Sequence, residues 1–292
     1  MTRSAWLISS SAERQYVSAG SSQKMLPLPS LDDSPTVDLS IIIPAFNEAQ
    51  RLPSMLESAI THLATVLSRT CEILIVDDGS KDDTVKVALS ISRRRPSYDI
   101  RVVKLDRNVG KGGAVRHGIL HGRGKRLLMV DADGASQFSD LELLWKEMDK
   151  IEEDGHAIAV GSRAHLVKTE AVVKRSAIRN FLMHGFHLIL RTLGVKHIRD
   201  TQCGFKLFTR KTAQQLFPSL HLASWVFDVE LLIRAQLLGV PVIEVPIAWH
   251  EVAGSKLSIV SDSFGMFKDL IILRLNIVLG RWGVSQGKMK SE

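Results

Sequence analysis

Two aspartates, Asp131 and Asp133, follow a short apolar run at residues 127–130 and are separated by a single alanine. One aspartate after a predicted strand is commonly the N-cap of the next helix, and this interpretation fits Asp82 and Asp83. It fits the alternating pair less well, because two carboxylates at one strand end repel each other unless a cation lies between them. Hard oxygen ligands of this kind suit Mg²⁺ or Mn²⁺ carrying a diphosphate, so the pair predicts a divalent metal site.

Polar residues also end two other predicted strands. The segment 44–48 (PAFNE) follows the first strand, and Asp77 and Asp78 follow the second. Ligands of an open α/β sheet bind outside the carboxyl ends of its strands, where these groups are expected to meet. A glycine-rich turn at residues 108–113 carries Lys111, and its backbone N–H groups could face phosphate oxygens at a helix N-terminus. The turn has neither the Walker A spacing nor G-x-G-x-x-G, so a tight turn with a solvated lysine is the alternative.

The elements that must position these groups follow from the apolar periodicity. Short apolar runs alternate with segments in which apolar residues recur at i, i+3, i+4 and i+7. This alternation predicts an α/β fold with a mostly parallel central sheet and helices on both faces. The predicted strands are residues 39–43, 73–76, 100–105, 127–130, 157–160, 205–209 and 242–247. Helices are predicted at residues 52–67, 141–151, 175–193, 227–238 and 259–282, near residue 84 and after the glycine-rich turn.

The composition narrows the class of protein. The chain has 292 residues and a formal net charge of +7, and its mean hydropathy is +0.07. Its 20 glycines and 9 prolines are close to average usage, which excludes low-complexity disorder for most of the chain. Cys71 and Cys203 are too few for a disulfide scaffold, which indicates a reducing compartment. The excess of Lys and Arg over Asp and Glu is compatible with binding to nucleic acid, to anionic lipid or to phosphate-bearing substrates.

Four segments are expected along the chain. Residues 1–36 are polar and rich in serine, and they predict a disordered or targeting tail rather than a secretory signal. Residues 37–256 hold the α/β domain, and residues 285–292 form a short tail. No stretch reaches the ~18 consecutive apolar residues of a spanning helix. Residues 257–284 combine apolar residues with basic flanks and predict an amphipathic helix at a membrane interface, with a core helix packed on the sheet as the alternative.

Taken together, the motifs resemble those of the family 2 inverting glycosyltransferases, which have a GT-A fold. The motifs with the family's order and spacing are residues 40–48 (SIIIPAFNE), 76–80 (VDDGS), 108–112 (NVGKG) and 131–134 (DADG). A second set resembles the dolichyl-phosphate glucosyltransferase branch, namely residues 161–165 (GSRAH), 199–208 (RDTQCGFKLF), 225–232 (WVFDVELL) and 251–257 (EVAGSKL). The resemblance covers roughly residues 37–284.

The resemblance implies a site for UDP-glucose at the ends of the first strands. The residues implied to line the uridine and ribose pocket are Pro44, Ala45, Asn47 and Glu48. Asp77 and Asp78 would contact the nucleoside, and Lys111 would lie near it or near the diphosphate. Asp133, with Asp131 beside it, would hold Mg²⁺ or Mn²⁺ on the diphosphate, where a metal neutralises charge on the leaving group.

The resemblance also implies an acceptor site, in which Arg163 and one of Arg175 and Arg179 bind the phosphate of dolichyl phosphate. A phosphate monoester has a second pKa of ~6 and is largely dianionic at neutral pH, so it needs no general base. In-line attack would convert α-linked glucose into β-linked glucose. The expected catalytic residues are Asp133, Arg163 and Asp228. Asp228 is also open to interpretation as a helix cap or an acceptor-side contact.

The expected activity is glucosyl transfer from UDP-glucose to dolichyl phosphate, which supplies the lipid-linked glucose donor for N-glycan assembly. The expected location is the cytosolic face of the endoplasmic reticulum membrane. Relatives in this branch usually carry an N-terminal spanning helix, whereas residues 1–36 are polar, so a peripheral or partner-dependent attachment is expected.

Three other classes of protein stay open at this point. One is a glycosyltransferase that uses GDP-mannose or another polyprenyl phosphate. A nucleotidyltransferase would be expected to have a loop rich in glycine and arginine in place of residues 44–48. A basic module that binds membranes or nucleic acid is disfavoured by the intact carboxylate pair, and no nucleic-acid partner is expected.

Overall fold

The computed structural model describes residues 15–18, 25–65, 69–166, 198–252 and 259–282. Within them the chain forms nine strands and seven α-helices, with short 3-10 turns at Phe138–Asp140 and Phe217–Ser219. In chain order the elements are β1 (Gln15–Ser18), β2 (Met25–Pro27), β3 (Val37–Ala45), α1 (Leu52–Thr65), β4 (Cys71–Asp77), α2 (Thr84–Arg94), β5 (Asp99–Lys104), α3 (Lys111–Leu120), β6 (Gly124–Val130), α4 (Leu141–Ile151), β7 (Ile158–Ser162), β8 (Phe205–Thr209), α5 (Arg210–Leu216), α6 (Phe227–Leu237), β9 (Val242–Pro246) and α7 (Ile259–Val278).

The strands form one sheet with the order β2-β1-β5-β4-β3-β6-β8-β7-β9. Strands β5, β4, β3 and β6 are parallel neighbours. Strand β8 runs antiparallel to both β6 and β7, while β7 and β9 are parallel to each other. The short strands β1 and β2 extend the β5 edge in the antiparallel sense. The centre of the sheet is therefore mostly parallel, as the sequence predicts.

Both faces of the sheet are covered by helices. Along β3, the fully buried Ile41 and Ile43 belong to one core layer and Ile42 to the other, because side chains alternate along a strand. Helices α1, α2 and α4 cover the layer of Ile41, and helices α3, α5, α6 and α7 cover the layer of Ile42. Burial on two faces explains why the central strands are continuous apolar runs rather than alternating ones.

The chain changes direction across the sheet at β3. Two crossovers, through α1 and α2, build β3, β4 and β5 in one direction on one face. The next crossover, through α3 on the other face, returns the chain past β3 to form β6 on its free side. Such a reversal of strand order opens a crevice at the carboxyl ends of the strands, which is where ligands bind in open α/β sheets.

A buried carboxylate ties the strands together at their opposite ends. The Glu72 side chain accepts hydrogen bonds from Arg123 Nε at 2.8 Å, from the Arg123 amide at 2.6 Å and from Ser40 Oγ at 2.5 Å. Arg101 Nη1 lies 3.4 Å from Glu72 Oε2. Because the charge is paired and hydrogen-bonded on several sides, it is tolerated in the interior. The network holds β3, β4, β5 and the turn before β6 in register.

Helix α7 packs on the domain with one side only. Leu270 and Leu273 are buried in the core beside α6. The other side carries a row of apolar side chains that are between 40% and 73% exposed. This row, the α7 stripe, consists of Phe264, Phe267, Ile271, Leu275 and Val278. Its spacing of three or four residues places it on a single helix face. None of the described helices is long and apolar enough to cross a membrane.

The order and type of the predicted elements agree with the structure wherever the chain is described. Strand β3 extends two residues beyond the predicted run 39–43 at each end, since its terminal residues are not uniformly apolar. Strands β1 and β2, which fall inside residues 1–36, were not predicted, and neither was α5. The helix predicted at residues 175–193 lies outside the described residues.

Candidate active site

A cavity of about 740 Å³ opens at the carboxyl ends of the central strands. The predicted site residues that line it are Pro44, Ala45, Glu48, Asp78, Lys111, Asp131, Asp133, Arg163 and Asp228. Asn47 and Asp77 are not among its lining residues, and Arg175 and Arg179 lie outside the part of the chain that the structure describes. The fold thus brings most of the residues predicted from separate motifs to one cavity.

Asn47 joins the loop after β3 to the loop after β4. It adopts the left-handed conformation, with φ of 56°, which asparagine tolerates better than most residues. Its amide donates to Ser80 Oγ at 2.8 Å, and its Oδ1 accepts from the Lys81 amide at 2.8 Å. The amide of Glu48 donates to Thr84 Oγ1 at 2.7 Å. Asn47 therefore shapes the wall, and its contact with a nucleoside stays a prediction.

Glu48 forms a two-pronged ion pair with Arg51 on the cavity wall. Arg51 Nε donates to Glu48 Oε2 at 2.7 Å, and a second guanidinium nitrogen donates to Oε1. The hydrogen bonds to Glu48 raise the pKa of Arg51, and the charges of Asp133 and Asp131 raise it further. Arg51 was not predicted as a site residue, although its i+3 spacing from Glu48 on a helix start was a usable signal.

Asp78 holds the glycine-rich turn in place. Its two carboxylate oxygens accept the amide hydrogens of Val109 at 2.7 Å and Gly110 at 3.0 Å. Burial raises the pKa of Asp78 to about 6, against the opposing effect of these hydrogen bonds. Gly110 has φ of +94°, and a Cβ there would lie 2.5 Å from the carbonyl oxygen of Ala223. The turn therefore needs glycine at this point to approach the segment before α6.

Lys111 opens α3 and reaches across the cavity to the acid pair. Its Nζ lies 2.6 Å from Asp131 Oδ1 and 5.4 Å from the centre of the Trp225 ring. Burial opposes its positive charge, but Asp131, Asp228 and Asp133 together raise the pKa of Lys111 above its usual value. The lysine is thus a fixed, charged group at the cavity wall rather than a solvated side chain.

The aspartate pair lies on the turn after β6, beside the start of β8. The Asp131 amide donates to the Gly204 carbonyl oxygen at 3.0 Å, and Asp133 Oδ1 accepts from the Ala135 amide at 3.0 Å. Burial raises the pKa of Asp133, and the negative charge of Asp131 adds to the effect. Arg51 and Lys111 oppose this rise, so the two acids share a poorly solvated place that already contains positive charge.

The donor atoms of this pair fit a divalent metal that also binds phosphate. No group of three or more Asp, Glu, His or Cys side chains suited to a metal occurs among the described residues. Two carboxylates leave most coordination positions to water and to phosphate oxygens, which is how Mg²⁺ is usually bound with nucleotides.

Arg163 follows β7 and is held by a carboxylate from the segment before β8. Its Nε and Nη2 donate to Asp200 Oδ2 at 2.7 Å and Oδ1 at 2.9 Å, and its amide donates to Oδ2 at 2.9 Å. The Asp200 amide in turn donates to Glu244 Oε1 at 3.0 Å. The bond to Asp200 raises the pKa of Arg163, and the guanidinium lies 5.4 Å from the Trp249 ring centre. Trp249 was not predicted.

Asp228 lies in the first turn of α6, and its partner is a buried lysine. Lys206 Nζ is 2.7 Å from Asp228 Oδ1. The N-cap of α6 is Val226, with no side-chain capping bond, so the interpretation of Asp228 as a helix cap is wrong. Lys206 was missed because it sits inside the predicted strand 205–209, where a lysine in an apolar run was the only signal.

The structure also describes the surroundings of Asp82, Asp83, Asp77 and Cys203. The N-cap of α2 is Asp83, but its side chain makes no capping bond and pairs with Lys86. The Asp82 carboxylate, one residue before the N-cap, accepts from the Thr84 amide at 3.0 Å. Asp77 is fully buried, and burial raises its pKa. Cys203 is fully buried, and burial raises the pKa of its thiol to about 11, which favours packing over nucleophilic chemistry.

The fold matches solved structures of sugar-transferring enzymes. Glucosyl-3-phosphoglycerate synthase from Mycobacterium tuberculosis, in complex with phosphoglyceric acid, superposes with a TM-score of 0.57 at 18% identity over 81% of this chain and 80% of that chain. The same enzyme with Mn²⁺ and UDP-glucose gives a TM-score of 0.55 at 20% identity over 86% and 81% of the two chains. These likenesses support a GT-A-like fold.

Sequence comparison extends this result to the family. Residues 40–217 match the family model described as glycosyl transferase family 2. The chain is 52% identical to a dolichyl-phosphate beta-glucosyltransferase of Dictyostelium discoideum, over 84% of this chain and 76% of that protein. It is 47% identical to the Homo sapiens protein of the same name, over 89% and 82%. The chain therefore belongs to glycosyl transferase family 2 and, within it, to the dolichyl-phosphate beta-glucosyltransferases.

Proposed function

We propose that this protein transfers glucose from UDP-glucose to dolichyl phosphate, with inversion at the anomeric carbon. The observation that carries the proposal is that the Asp131–Asp133 pair and the Arg163 guanidinium line one cavity. A carboxylate pair suits a metal-bound diphosphate, and a guanidinium suits a second phosphate. The names of the relatives support the acceptor and the sugar, and the mycobacterial complex with Mn²⁺ and UDP-glucose supports the donor.

The donor end of the cavity is formed by the loops after β3 and β4. Pro44, Ala45 and Glu48 line it, and Asp78 fixes the backbone of the glycine-rich turn. Asn47 and Asp77 support this wall from outside the cavity, and the roles proposed for them are to keep the uridine and ribose contacts in position. Lys111 adds a positive charge directed at the place where the diphosphate would lie.

Asp133 and Asp131 are the residues that would hold Mg²⁺ or Mn²⁺. When bound, the metal supplies positive charge that stabilises the diphosphate leaving group. Lys111 pairs with Asp131, and it would be shared between that carboxylate and the donor phosphates. Gly204 leaves room for the Asp131 carboxylate, since a Cβ at that position would overlap it.

The acceptor end contains Arg163, whose guanidinium is oriented by Asp200. An oxygen of the lipid phosphate forms a bond to the anomeric carbon as the bond from that carbon to the diphosphate breaks, and UDP leaves with the electron pair. Because the phosphate oxygen carries no proton to remove at neutral pH, no general base is needed. Arg175 and Arg179 remain proposed as further ligands of the acceptor phosphate.

The α7 stripe is proposed to lie on the cytosolic face of the endoplasmic reticulum membrane, where the acceptor resides. Met266, on the same helix, lines the cavity, so the exposed stripe and the site share one element. Lys268 and Arg274 border the stripe, and basic residues beside an apolar face favour anionic lipid headgroups. This arrangement would bring the lipid phosphate close to Arg163.

Purified protein with Mn²⁺, dolichyl phosphate in detergent micelles and either UDP-glucose or GDP-mannose tests the proposal. We expect lipid-linked glucose from UDP-glucose, with the β configuration in the NMR spectrum of the product. Faster transfer from GDP-mannose would overturn the assignment of the donor, and an α-linked product would overturn inversion.

A further inference from the structure

The buried ion pair between Lys206 and Asp228 is an unusual feature of the cavity wall. The Lys206 side chain is 0% exposed on β8, and that of Asp228 is 2% exposed in α6. Lys206 Nζ lies 2.7 Å from Asp228 Oδ1 and donates to the Cys203 carbonyl oxygen at 2.5 Å. An isolated buried pair contributes little to stability, because removing two charges from water costs about as much as their attraction returns. Its presence next to the cavity therefore calls for another explanation.

The surroundings of the pair connect it to the proposed site. Lys206 stands opposite Met129 in the β6–β8 ladder, two residues before Asp131 along β6. Asp228 lines the same cavity as Asp131 and Lys111. Burial raises the pKa of Asp228 and Asp131 adds to this effect, while Lys206 and Lys111 lower it. Without Lys206, only Lys111 would offset the effects of burial and of Asp131 on this carboxylate.

The geometry points to Lys206 as a positioning residue that holds the Asp228 carboxylate at the cavity wall, where Asp228 accepts a hydrogen bond from a hydroxyl group of the transferred sugar. This inference rests on the proposed glucosyl transfer and adds a specificity contact to it.

The position of Asp228 near the proposed diphosphate site favours the sugar as its ligand. Asp228 lines the same cavity as Asp131 and Lys111, and the charges of both residues act on its carboxylate. In the proposed function these two residues lie at the donor diphosphate, to which the transferred sugar is directly bonded. An ionised carboxylate only accepts hydrogen bonds. Sugar hydroxyls are donors, whereas phosphate oxygens would be repelled, so a sugar hydroxyl is the matching partner.

The test measures kcat/KM for UDP-glucose and for its four monodeoxy analogues, each lacking one hydroxyl group. The variants are Lys206→Met, Lys206→Arg, Asp228→Asn and the double variant Lys206→Met/Asp228→Asn. Lys211→Met is the matched control, because Lys211 is exposed on α5 and its Nζ donates to a backbone oxygen, that of Asp154. The affinity for UDP with Mn²⁺ and the circular dichroism spectrum report whether each variant keeps its fold and nucleotide site.

We expect the wild-type protein to discriminate against one analogue by about 10- to 100-fold, as for a hydrogen bond to a charged group. Asp228→Asn and Lys206→Met should both lose this discrimination. Both variants should bind UDP within about twofold of the wild-type affinity, because neither substitution alters the nucleotide site. Lys206→Arg should retain part of it, and Lys211→Met all of it. Because Lys206 acts through Asp228, the double variant should be no slower than the slower single variant.

Discrimination that survives Lys206→Met, or single-variant losses that multiply in the double variant, would overturn the inference. If Lys206→Met does not fold, Lys206→Arg decides the matter, since full wild-type discrimination in that variant contradicts a positioning role. A wild-type protein that transfers glucose equally well from all four analogues refutes the inference alone. A wild-type protein that transfers no glucose refutes the proposed function.

Discussion

The amide of Asp131 donates to the carbonyl oxygen of Gly204 at 3.0 Å, and a Cβ built on Gly204 would overlap the Asp131 carboxylate. The first residue of the aspartate pair is thus packed against the backbone of the segment that leads into β8. Two motifs that are far apart in the chain depend on each other at this contact, because one supplies the carboxylate and the other the space that it occupies.

Replacing Gly204 with alanine should therefore displace Asp131. We expect the rate of glucosyl transfer to fall on the order of 100-fold, since a shift of about 1 Å in a positioning group can cost that much. Overpacking should also lower the free energy of unfolding by roughly 1–3 kcal/mol. Steady-state kinetics at several Mn²⁺ concentrations measure the effect. Gly265→Ala is the control, because its Cβ would meet open space. Unchanged kinetics in Gly204→Ala would show that the contact does not constrain Asp131.

The raised pKa of Asp78 predicts a pH dependence of stability. Its pKa is about 6 in the folded protein against an ordinary value of 3.8, so the folded state keeps a proton that the unfolded state releases between these values. The contribution of Asp78 is therefore present at low pH and is lost as pH rises through about 6. At about 1.4 kcal/mol per pKa unit, the free energy of unfolding should fall by roughly 3 kcal/mol from this group alone.

Urea unfolding of wild type and Asp78→Asn between about pH 4.5 and pH 7 measures this contribution. The unfolding free energy of the wild type should fall relative to that of Asp78→Asn as pH rises. Asp38→Asn is the control: hydrogen bonding to Lys125 lowers the pKa of Asp38 to about 2, so its titration lies below this range. A difference between wild type and Asp78→Asn that does not vary with pH would contradict the raised pKa.

The α7 stripe should determine binding to anionic membranes. Changing Phe267 and Ile271 to glutamate removes apolar area and adds negative charge on the exposed face, without touching the buried Leu270 and Leu273. We expect the wild-type protein to float with anionic liposomes and the double variant to lose at least about tenfold in bound fraction. Leu143→Glu, at an exposed leucine on α4, is the matched control. Equal flotation of all three proteins would show that the α7 stripe does not determine membrane binding.

The Glu72 network should stabilise the fold without acting in catalysis. Glu72→Gln removes the fully buried carboxylate that pairs with Arg101 and Arg123, which then share Asp99 as a charged partner. We expect a loss of about 3–5 kcal/mol in unfolding free energy. Glu57→Gln removes an exposed partner of Arg95 and should cost less than about 1 kcal/mol. Chemical denaturation gives both values, and similar losses in the two variants would contradict the role of burial.

Much of the site could be predicted from the sequence because its groups follow strand ends. Asp131, Asp133, Asp78 and Lys111 all lie within a few residues of a strong apolar run or a glycine-rich turn. Parallel strands carry such ends to one edge of a sheet, so position in the chain implied proximity in space.

Other features depend on tertiary pairing, which has no local signal. Lys206 reads as an ordinary strand residue until β8 is paired with β6 and α6 is packed against it. Asn47 was expected to line the cavity, but its left-handed backbone directs its amide groups to the neighbouring loop. Strands β1 and β2 are too short to show a hydrophobic period, and they are specified by the edge of β5.

The most direct test of the account is the transfer of labelled glucose from UDP-glucose into dolichyl phosphate by wild type, Asp133→Asn and Asp149→Asn, each with Mn²⁺ and with excess chelator. Asp149 is an exposed aspartate on α4 that pairs with Arg126. We expect labelled lipid from wild type and Asp149→Asn with Mn²⁺, a loss of at least about 100-fold in Asp133→Asn, and no product with chelator. Full activity of Asp133→Asn, or transfer that is insensitive to the chelator, would contradict this expectation.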